Sequence, residues 1–431
     1  MHRRPYLVWS NDQPRADEAE DQIAQEASPL ARAAVRAGCD EAATIVRRVE
    51  TIRLAQLSDL VYVRVFGKDG HIGLGEAFGS ADEVEAYVHQ VVAPRILGQS
   101  PTRPDFDRAF KPLFRGREAA QRRGASAVDV ALWDLVGHAT GRSFADLLGG
   151  ACRERIRVYD SPPPTRATAP STASSRIGTS TARRASFEQM LLTHAEELLA
   201  RGITAMKVDP PIEPHDGSGG RDISSDDVKR LVAPLREVRA SFGDSLDIML
   251  DLHSRWDVPA AKRIARAVEE VEPLWLEEPI SRDDLRTLAA YARAVRLPMT
   301  LREPLSSRYE LRDLFNRRIA GIVMFSLGWS GGVTAASHVA PLAAEYRLPL
   351  TLYGRAGPVL LAAATHVAVS APNAVIQETV QQYVTDWYAE VAAALPDISN
   401  GTIAPPAGPG HGVRLRTGLL RDPGTLVRAS T

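Results

Sequence analysis

The feature that most restricts the fold of this chain is a series of eight short apolar segments between Arg155 and Glu378. A stretch long enough to hold a helix separates each segment from the next, and this alternation is typical of parallel β/α units. The segments are RIRVYDS, AMKVD, DIMLDLH, LWLEEP, MTLRE, GIVMFS, PLTLY and AVIQE, and most end on a polar or charged residue. The pattern predicts a (β/α)8 barrel, whose functional groups lie at the carboxyl ends of its strands.

Four regions are predicted along the chain. Residues 1–43 are polar and Ala-rich without a strand pattern, so we expect an extension that is partly disordered and partly helical. Residues 44–150 combine strand-like segments with the helical spacing of SAVDVALWDLVGHATG and predict an α+β domain. The barrel is assigned to residues 151–395, and residues 396–431 form a C-terminal segment rich in loops. Within the barrel, the Pro-, Ser- and Thr-rich stretch 162–186 predicts a flexible insertion, either a lid or a segment without a role.

Composition excludes several classes of function. The chain has 431 residues with 52 Lys and Arg against 53 Asp and Glu, and this balance gives no basic field for nucleic acid or an anionic membrane. Cys39 and Cys152 are too few for a disulfide framework or a thiolate metal site. No apolar run of about 18 residues and no secretion signal occur. We therefore expect a cytoplasmic protein that acts on a small molecule, with neither nucleic acid nor membrane as partner.

Three acidic residues occupy corresponding positions in consecutive segments: Asp251 in MLDLH, Glu277 in WLEEP and Glu303 in LREP. Neighbouring barrel strands would bring the three carboxylates together, and such a concentration of charge requires a cation or protons. Ligands that are all oxygens suit a hard divalent ion, so we predict a Mg²⁺ site. Taken singly, each acid could instead pair with a nearby arginine such as Arg255 or Arg302.

Several motifs together resemble one known family. SAVDVALWDLVGHATGRSFADLLGG precedes the barrel, WSGGVT follows the sixth segment, and PPAGPGHG lies near the end. With the three acids, they occur in the order found in the enolase superfamily, in its mandelate racemase and muconate-lactonising branch, over residues 45–420. The resemblance implies an α/β fold, a modified (β/α)8 TIM-type barrel with an N-terminal α+β capping domain to which the chain's end returns. It also implies one Mg²⁺ on Asp251, Glu277 and Glu303.

The chemistry that this family shares is abstraction of a proton next to a carboxylate. Such a proton is weakly acidic because its removal places a second negative charge on that group, which a divalent cation stabilises. In the family the base is usually the last Lys of a Lys-x-Lys pattern on the second strand, or a His on the seventh supported by an Asp of the sixth. This chain departs from both patterns. Lys207 matches the first lysine, but Asp209, Ser326 and Tyr353 stand at the other three positions.

These departures make racemisation by two bases unexpected. Asp209 is a candidate base, and Lys207 a candidate base or a ligand for the substrate carboxylate. The alternatives are that Asp209 is a further acid near the metal and that Lys207 forms only an ion pair. Tyr353 could donate a proton or only fill the space of the missing histidine. Arg302, Ser326, Arg355 and Glu378 are predicted to bind substrate; Glu378 matches a family position that hydrogen-bonds the substrate carboxylate when protonated, with a salt bridge as the alternative.

His253 follows the first predicted metal ligand by two residues, so the period of a strand would turn both side chains to one face. The stretch DIMLDLHSRW resembles the corresponding stretch of sugar-acid dehydratases of this family. Those enzymes carry an Asp-x-His or Glu-x-His at this position. In them the histidine is the general acid for the departing hydroxyl, which needs a proton. The alternative is a histidine that only orients Asp251 or Glu277.

The sequence therefore predicts a Mg²⁺-dependent lyase that removes water from a sugar acid. One alternative is an isomerase, cycloisomerase or epimerase with a single base. Another is a homologue that has lost turnover and only binds metal and ligand. The family resemblance also implies a homo-oligomer.

Overall fold

The structure is a computed structural model that describes residues 28–103, 118–161, 187–214, 218–301, 308–354 and 356–431, together with Phe106, Phe110 and Leu113. Several predictions from the sequence lie outside these residues. They are most of the predicted extension (1–27), the insertion 162–186, and the side chains of Arg302, Glu303 and Arg355.

Eight parallel strands form the predicted barrel. They are β4 (Ile156–Asp160), β5 (Ala205–Val208), β6 (Asp247–Asp251), β7 (Trp275–Glu277), β8 (Met299–Thr300), β9 (Val323–Phe325), β10 (Leu350–Leu352) and β11 (Ala374–Thr379). Their order in the sheet is β8-β7-β6-β5-β4-β11-β10-β9, so neighbours in sequence are neighbours in space apart from the closing pair. The N–H of Gly321, just before β9, donates to the carbonyl of Met299 in β8 at 2.9 Å and links the two ends of the sheet. The prediction of a (β/α)8 barrel is confirmed, and each of the eight segments supplies one strand.

Helices alternate with the strands and form the outer layer of the barrel. To name them in chain order, the helices that precede the barrel are α1 (Pro29–Arg36), α2 (Ala81–Tyr87), α3 (Ala93–Ile96), α4 (Ala119–Thr140) and α5 (Phe144–Leu147). Those of the barrel are α6 (Phe187–Ala200), α7 (Ser225–Phe242), α8 (Val258–Val268), α9 (Leu285–Ala294), α10 (Arg308–Asn316), α11 (Gly332–Glu345), α12 (Pro358–Ser370), α13 (Gln381–Asp386) and α14 (Tyr388–Val391). None of the helices in the described part of the chain is long and apolar enough to span a bilayer.

A second, antiparallel sheet lies beside the barrel. It contains β1 (Val46–Leu54), β2 (Leu57–Gly67), β3 (Ile72–Phe78) and β16 (Thr425–Ser430), in the order β16-β1-β2-β3. Helix α4 packs against β2 and β3. We call these strands and helices α2 to α4 the capping domain. The last strand of the chain pairs with the first, from Val49 opposite Ser430 to Leu54 opposite Thr425, so the chain's end returns to this sheet.

Two smaller features complete the fold. Helix α1, within the predicted extension, buries Leu30, Ala33 and Ala34 and contacts α4 and α11. Between the barrel and β16 lie four short strands, β12 (Ala392–Ala393), β13 (Asp397–Ser399), β14 (Thr402–Ala404) and β15 (Arg414–Leu415). Strand β14 pairs with β4 at the amino end of the barrel strand, which leaves the carboxyl end of β4 open for function.

The interior of the barrel is filled by side chains that point inward from alternate strand positions. They form a cluster of their own, separate from the larger core between strands and helices: Tyr159, Ala205, Met249, Trp275, Ile322, Met324 and Ile376. Polar residues of the predicted site lie two positions beyond several of these residues, on the same face of each strand. The apolar cluster is therefore the floor beneath the strand ends.

Candidate functional site

The ends of β5, β6 and β7 bring three predicted site residues together. Asp251 and Glu277 lie opposite each other in the parallel register of β6 and β7, and both are fully buried. Lys207, on β5, is 3% exposed. Each of the three follows an inward-facing residue of the barrel floor by two positions (Ala205, Met249 and Trp275). The alternation of a strand therefore directs all three side chains into the barrel.

Lys207 is surrounded by carboxylates. Its Nζ lies 2.9 Å from Oε1 of Glu378, 3.2 Å from both carboxylate oxygens of Glu277, and 3.8 Å from Oδ2 of Asp251. Buried charges are expensive unless they are paired, so the ammonium stabilises all three acids at once. One positive charge does not balance three carboxylates when all are ionised. In that state the cluster carries negative charge of the kind that a divalent cation compensates.

Two of the three predicted metal ligands are thus adjacent, and their oxygens are the donors that Mg²⁺ prefers. The third, Glu303, lies outside the described residues, three positions after the end of β8. Glu277 is opposite Thr300 in the register of β7 and β8, so the next strand over ends beside this pair. Among the residues that the structure describes, no group of three or more His, Cys, Asp or Glu side chains is arranged to hold a metal. The carboxylate oxygens of Asp251 and Glu277 fit a hard cation, and Glu303 stays a predicted third ligand.

His253 lies beside this cluster, although not for the predicted reason. Strand β6 ends at Asp251, and His253 has a φ of 51° and Ser254 a φ of 56°, so the alternation of a strand does not extend to this histidine. A left-handed turn orients it instead, an uncommon backbone conformation for residues other than glycine. The backbone N–H of His253 donates to Oδ1 of Asp251 at 3.0 Å, and Ser254 N–H donates to the carbonyl of Glu278 at 2.7 Å. These contacts fix the turn.

The imidazole of His253 lies between two acids. Its Nε2 is 3.1 Å from Oδ2 of Asp209, and its Nδ1 is 3.4 Å from Oδ1 of Asp251. Asp209 is one-fifth exposed, and its other oxygen lies 3.7 Å from Nη1 of Arg255, which also pairs with Glu213 at 2.9 Å. The structure therefore brings Asp209 and His253 together as a pair, a contact that the sequence did not predict. Arg255 approaches Asp209 rather than a predicted metal ligand.

Glu378 connects the first, second, seventh and eighth strands. Besides Lys207, its carboxylate accepts a hydrogen bond from the Ser161 hydroxyl, and its Oε2 accepts the N–H of Gly354 at 2.8 Å. The expected alternative for this residue, a salt bridge, is present with Lys207. Ser161 is a site residue that the sequence analysis missed. The signal was its place two residues beyond Tyr159 at the end of the first strand, in the same position as Lys207 on the second.

Tyr159 was also missed. It is fully buried, its ring centroid lies 5.9 Å from the Nζ of Lys207, and it packs edge-on against Trp275. Burial raises the pKa of its hydroxyl well above the usual value, and the charges of Glu378, Glu277 and Asp251 raise it further. The hydroxyl therefore stays protonated at physiological pH. It can donate or accept a hydrogen bond, but it does not give up its proton.

Ser326 and Tyr353 follow the ends of β9 and β10. Together with Glu378 they line a small cavity of about 20 Å³, enough for one or two water molecules. Phe78, from the last position of β3 in the capping domain, and Trp329 also line it. Ser326 is buried, Tyr353 is half-buried, and the N–H of Tyr353 donates to the carbonyl of Phe325 at 3.0 Å. The positions that usually carry an acid and a histidine thus face a narrow space beside Glu378.

Comparison with known families and proteins shows similarity over nearly the whole chain. Residues 190–418 match the family described as enolase C-terminal domain-like, and residues 39–149 match the mandelate racemase/muconate lactonizing enzyme N-terminal domain. D-galactonate dehydratase of Ralstonia nicotianae is 30% identical over 87% of this chain and 93% of its own length. D-gluconate dehydratase of Thermoproteus tenax is 26% identical over 91% of this chain and 76% of its own.

Solved structures give the same result. An enolase of the mandelate racemase subgroup from Agrobacterium tumefaciens is 35% identical, with a TM-score of 0.77 over 89% of this chain and 98% of that one. An enolase protein from Sargasso Sea environmental sequencing is 33% identical, with a TM-score of 0.78 over the same shares of the two chains. The similarity includes the capping domain as well as the barrel.

Proposed function

The chain belongs to the enolase superfamily, in its mandelate racemase and muconate lactonizing enzyme branch, and from this membership we propose that it is a lyase that dehydrates a sugar acid. Its relatives named D-galactonate dehydratase and D-gluconate dehydratase support this reaction class and a small hydroxy acid as substrate. The observation that carries the proposal is the contact of His253 with Asp209 beside two buried predicted metal ligands. An elimination needs an acid for the leaving hydroxyl, and this pair supplies one.

Members of this superfamily generally use a divalent metal, and we propose Mg²⁺ held by Asp251, Glu277 and Glu303 in this chain. When bound, the ion stabilises the negative charge that develops on the substrate carboxylate as the neighbouring proton leaves. Lys207 is assigned to charge balance at the floor of the site, because its Nζ is already surrounded by three carboxylates. Arg302, Arg355 and Ser326 remain predicted contacts for the substrate, and Tyr353 a predicted proton donor.

The proton transfers are assigned to Asp209 and His253. Oδ2 of Asp209 takes the proton next to the substrate carboxylate, and the electrons of that C–H bond form the new carbon–carbon double bond. The bond from the adjacent carbon to its hydroxyl breaks, and His253 gives the departing oxygen a proton, so water leaves. The enol that remains tautomerises to a 2-keto-3-deoxy acid. Because the two side chains are 3.1 Å apart, the proton on Asp209 can pass to His253 and restore the starting state.

The test is incubation of the Mg²⁺-loaded protein with D-gluconate, D-galactonate and related sugar acids in D₂O. We expect a keto acid and water in wild type. His253→Asn should lower the rate of keto-acid formation by about 10²-fold or more, while exchange of the proton next to the carboxylate and Mg²⁺ affinity persist. Asp209→Asn should lose both exchange and product. His71→Asn, on the hairpin turn between β2 and β3, is the matched control and should behave as wild type.

Other outcomes identify the other functions. Exchange in wild type without keto acid would mean an isomerase or epimerase with a single base. Binding of Mg²⁺ and of a sugar acid with neither exchange nor product would mean that turnover has been lost. An unaltered rate in His253→Asn would remove this histidine from the mechanism. A cytoplasmic location, a homo-oligomeric assembly and the domain boundaries stay predictions from the sequence.

A further inference from the structure

Two buried carboxylates of the capping domain contact the barrel at the loops that follow β9 and β10. The first is Glu76 of β3, which is fully buried. It accepts hydrogen bonds from the backbone N–H groups of Gly357 and Val359, the latter at 3.1 Å. These groups belong to the start of α12, where the first N–H groups of a helix have no partners within the helix. A side chain from one domain thus completes the hydrogen bonding of a helix in the other.

The second carboxylate is Asp129 of α4, which is 1% exposed. Its Oδ2 accepts the N–H of Thr334 in the first turn of α11 at 3.0 Å. Two neighbours on α4 strengthen the contact: Ser126 Oγ accepts the N–H of Gly331 at 3.0 Å, and Trp133 Nε1 donates to Thr334 Oγ1 at 2.8 Å. The same arrangement therefore occurs at the two consecutive helices that follow the sixth and seventh barrel strands.

Both contacts leave no space for a side chain at the start of the helix. A Cβ placed on Gly357 would lie 2.4 Å from Oε2 of Glu76, and one placed on Gly332 would lie 2.1 Å from Oδ2 of Asp129. Real Cβ atoms do not approach other atoms this closely, so a larger residue at either position would displace the carboxyl group that lies against it. The close approach of the two domains therefore accounts for Gly332 in the motif WSGGVT and for Gly357 in the segment Ala356-Gly357-Pro358-Val359.

The loops fixed in this way carry site residues. Ser326 lies six positions before Gly332, and Tyr353 lies four positions before Gly357. The loop after β10 also supplies the N–H of Gly354 to Glu378, which in turn contacts Lys207 at 2.9 Å. A displacement of the helix starts would therefore move Ser326, Tyr353 and the hydrogen bond that holds Glu378.

We propose that Glu76 and Asp129 are positioning residues. Through them the capping domain holds the loops after the sixth and seventh barrel strands at the distance from the predicted metal ligands that catalysis requires. Neither side chain contacts the reacting groups of the proposed mechanism; each acts through the backbone of a barrel loop. The proposal rests on the dehydratase function for its kinetic measurement only. Burial raises the pKa of Glu76 to about 8 in spite of its hydrogen bonds. Glutamine has a similar size and no charge, but its NH2 group cannot accept one of the two backbone N–H groups.

The test compares Glu76→Gln and Asp129→Asn with Asp134→Asn as a matched control. Asp134 is on the same helix as Asp129, is equally buried, and accepts two backbone N–H groups, from Leu74 at 2.8 Å and His411 at 3.0 Å. Its contacts are in the capping domain and the C-terminal segment, so its loss destabilises the protein without affecting the two loops. Gly357→Ala is a second variant, which disturbs the contact with Glu76 from the barrel side.

We expect kcat to fall about 10- to 100-fold in both test variants and in Gly357→Ala, as for a displacement of about 1 Å in a catalytic group. Amide hydrogen exchange in residues 326–336 and 352–361 should become faster, while Mg²⁺ affinity stays within twofold of wild type. Asp134→Asn should keep kcat within twofold although its Tm falls.

Three results would overturn the positioning role: unchanged exchange in both loops, unchanged kcat where exchange is faster, or an equal loss of kcat in Asp134→Asn. The exchange measurement does not need turnover. If wild type converts no sugar acid, the proposed function fails, whereas faster loop exchange at constant Mg²⁺ affinity still supports the contact's role in holding the loops.

Discussion

At the scale of single residues, the site depends on which charged side chains contact one another. Lys207 pairs with acids from three other strands, and His253 contacts one predicted metal ligand and one predicted base. The sequence identified these residues because each lies at or just after a strand end. It did not identify their pairing, since a contact between side chains of different strands leaves no trace in the local pattern. Ser161 was missed although its place at the end of the first strand, equivalent to that of Lys207 on the second, was a usable signal.

A buried histidine outside the site predicts how stability depends on pH. His366 of α12 is 2% exposed and packs against the ring of Phe144. Burial, together with the smaller effect of the nearby His411, lowers its pKa to about 4. The unfolded chain has a histidine pKa of about 6.5. Below pH 6.5 the unfolded state therefore takes up a proton that the folded state refuses, and stability falls until about pH 4, where both states are protonated.

The measurement is the free energy of unfolding in urea at pH 7.5 and at pH 4.5. His366→Phe keeps a ring in place but cannot titrate, so the decrease between the two pH values should be smaller than in wild type by on the order of 2 kcal/mol. His71→Asn is again the control and should follow the wild-type curve. Parallel curves for wild type and His366→Phe would show that this histidine is not kept neutral by the fold.

At the scale of elements, the sequence was informative wherever burial on both sides made a strand continuously apolar. All eight barrel strands were found in this way. Strand β16 was harder to recognise, because most of its residues are exposed and its amphipathic pattern is weak. The orientation of His253 was predicted by extending a strand two residues too far. The pattern of apolar residues predicts where a strand runs, but the turn that ends it depends on contacts with the next strand.

Strand β16 leads to a prediction about the capping domain. It covers one edge of β1 over six residues, and Ser430 Oγ lies 2.7 Å from Nδ1 of His89, whose Nε2 is 2.9 Å from Thr51 Oγ1. Deletion of residues 425–431 removes the pairing with β1 and the contact of Ser430 with His89, and it exposes an edge strand. We expect Tm to fall by about 5 °C and aggregation on heating to increase.

The control for this deletion is Leu426→Thr combined with Val427→Thr. These side chains are 63% and 47% exposed, so the double variant keeps the backbone pairing and loses little buried apolar surface. Its Tm should stay within about 1 °C of wild type. If the double variant loses as much as the deletion, the side chains of β16 rather than its pairing with β1 stabilise the sheet.

At the scale of the whole molecule, two domains and the end of the chain combine around one set of strand ends. Family membership and the barrel were both predicted from the sequence and are confirmed. The contact between domains was not predictable, because Glu76 and Gly357 are 281 residues apart and each is ordinary in its own segment. The metal is the component that should link stability of the whole chain to function, since its predicted ligands come from three consecutive strands.

Removal of Lys207 tests how its ammonium group and the predicted Mg²⁺ each compensate the carboxylates of this cluster. In Lys207→Met the carboxylates of Asp251, Glu277 and Glu378 lose their buried partner, so the metal-free protein should be destabilised by about 3 to 5 kcal/mol. Mg²⁺ should then bind more tightly, because the cation no longer meets the repulsion of an ammonium that lies 3.2 Å from one predicted ligand. Ligand binding to the folded state raises Tm, so the gain in Tm between EDTA and excess Mg²⁺ should be larger in this variant than in wild type.

The control is Lys229→Met, which removes an exposed lysine paired with Asp226 on α7 and should leave both values unchanged. A smaller Mg²⁺-dependent gain in Lys207→Met would mean that the lysine organises the carboxylates for the metal instead of competing with it.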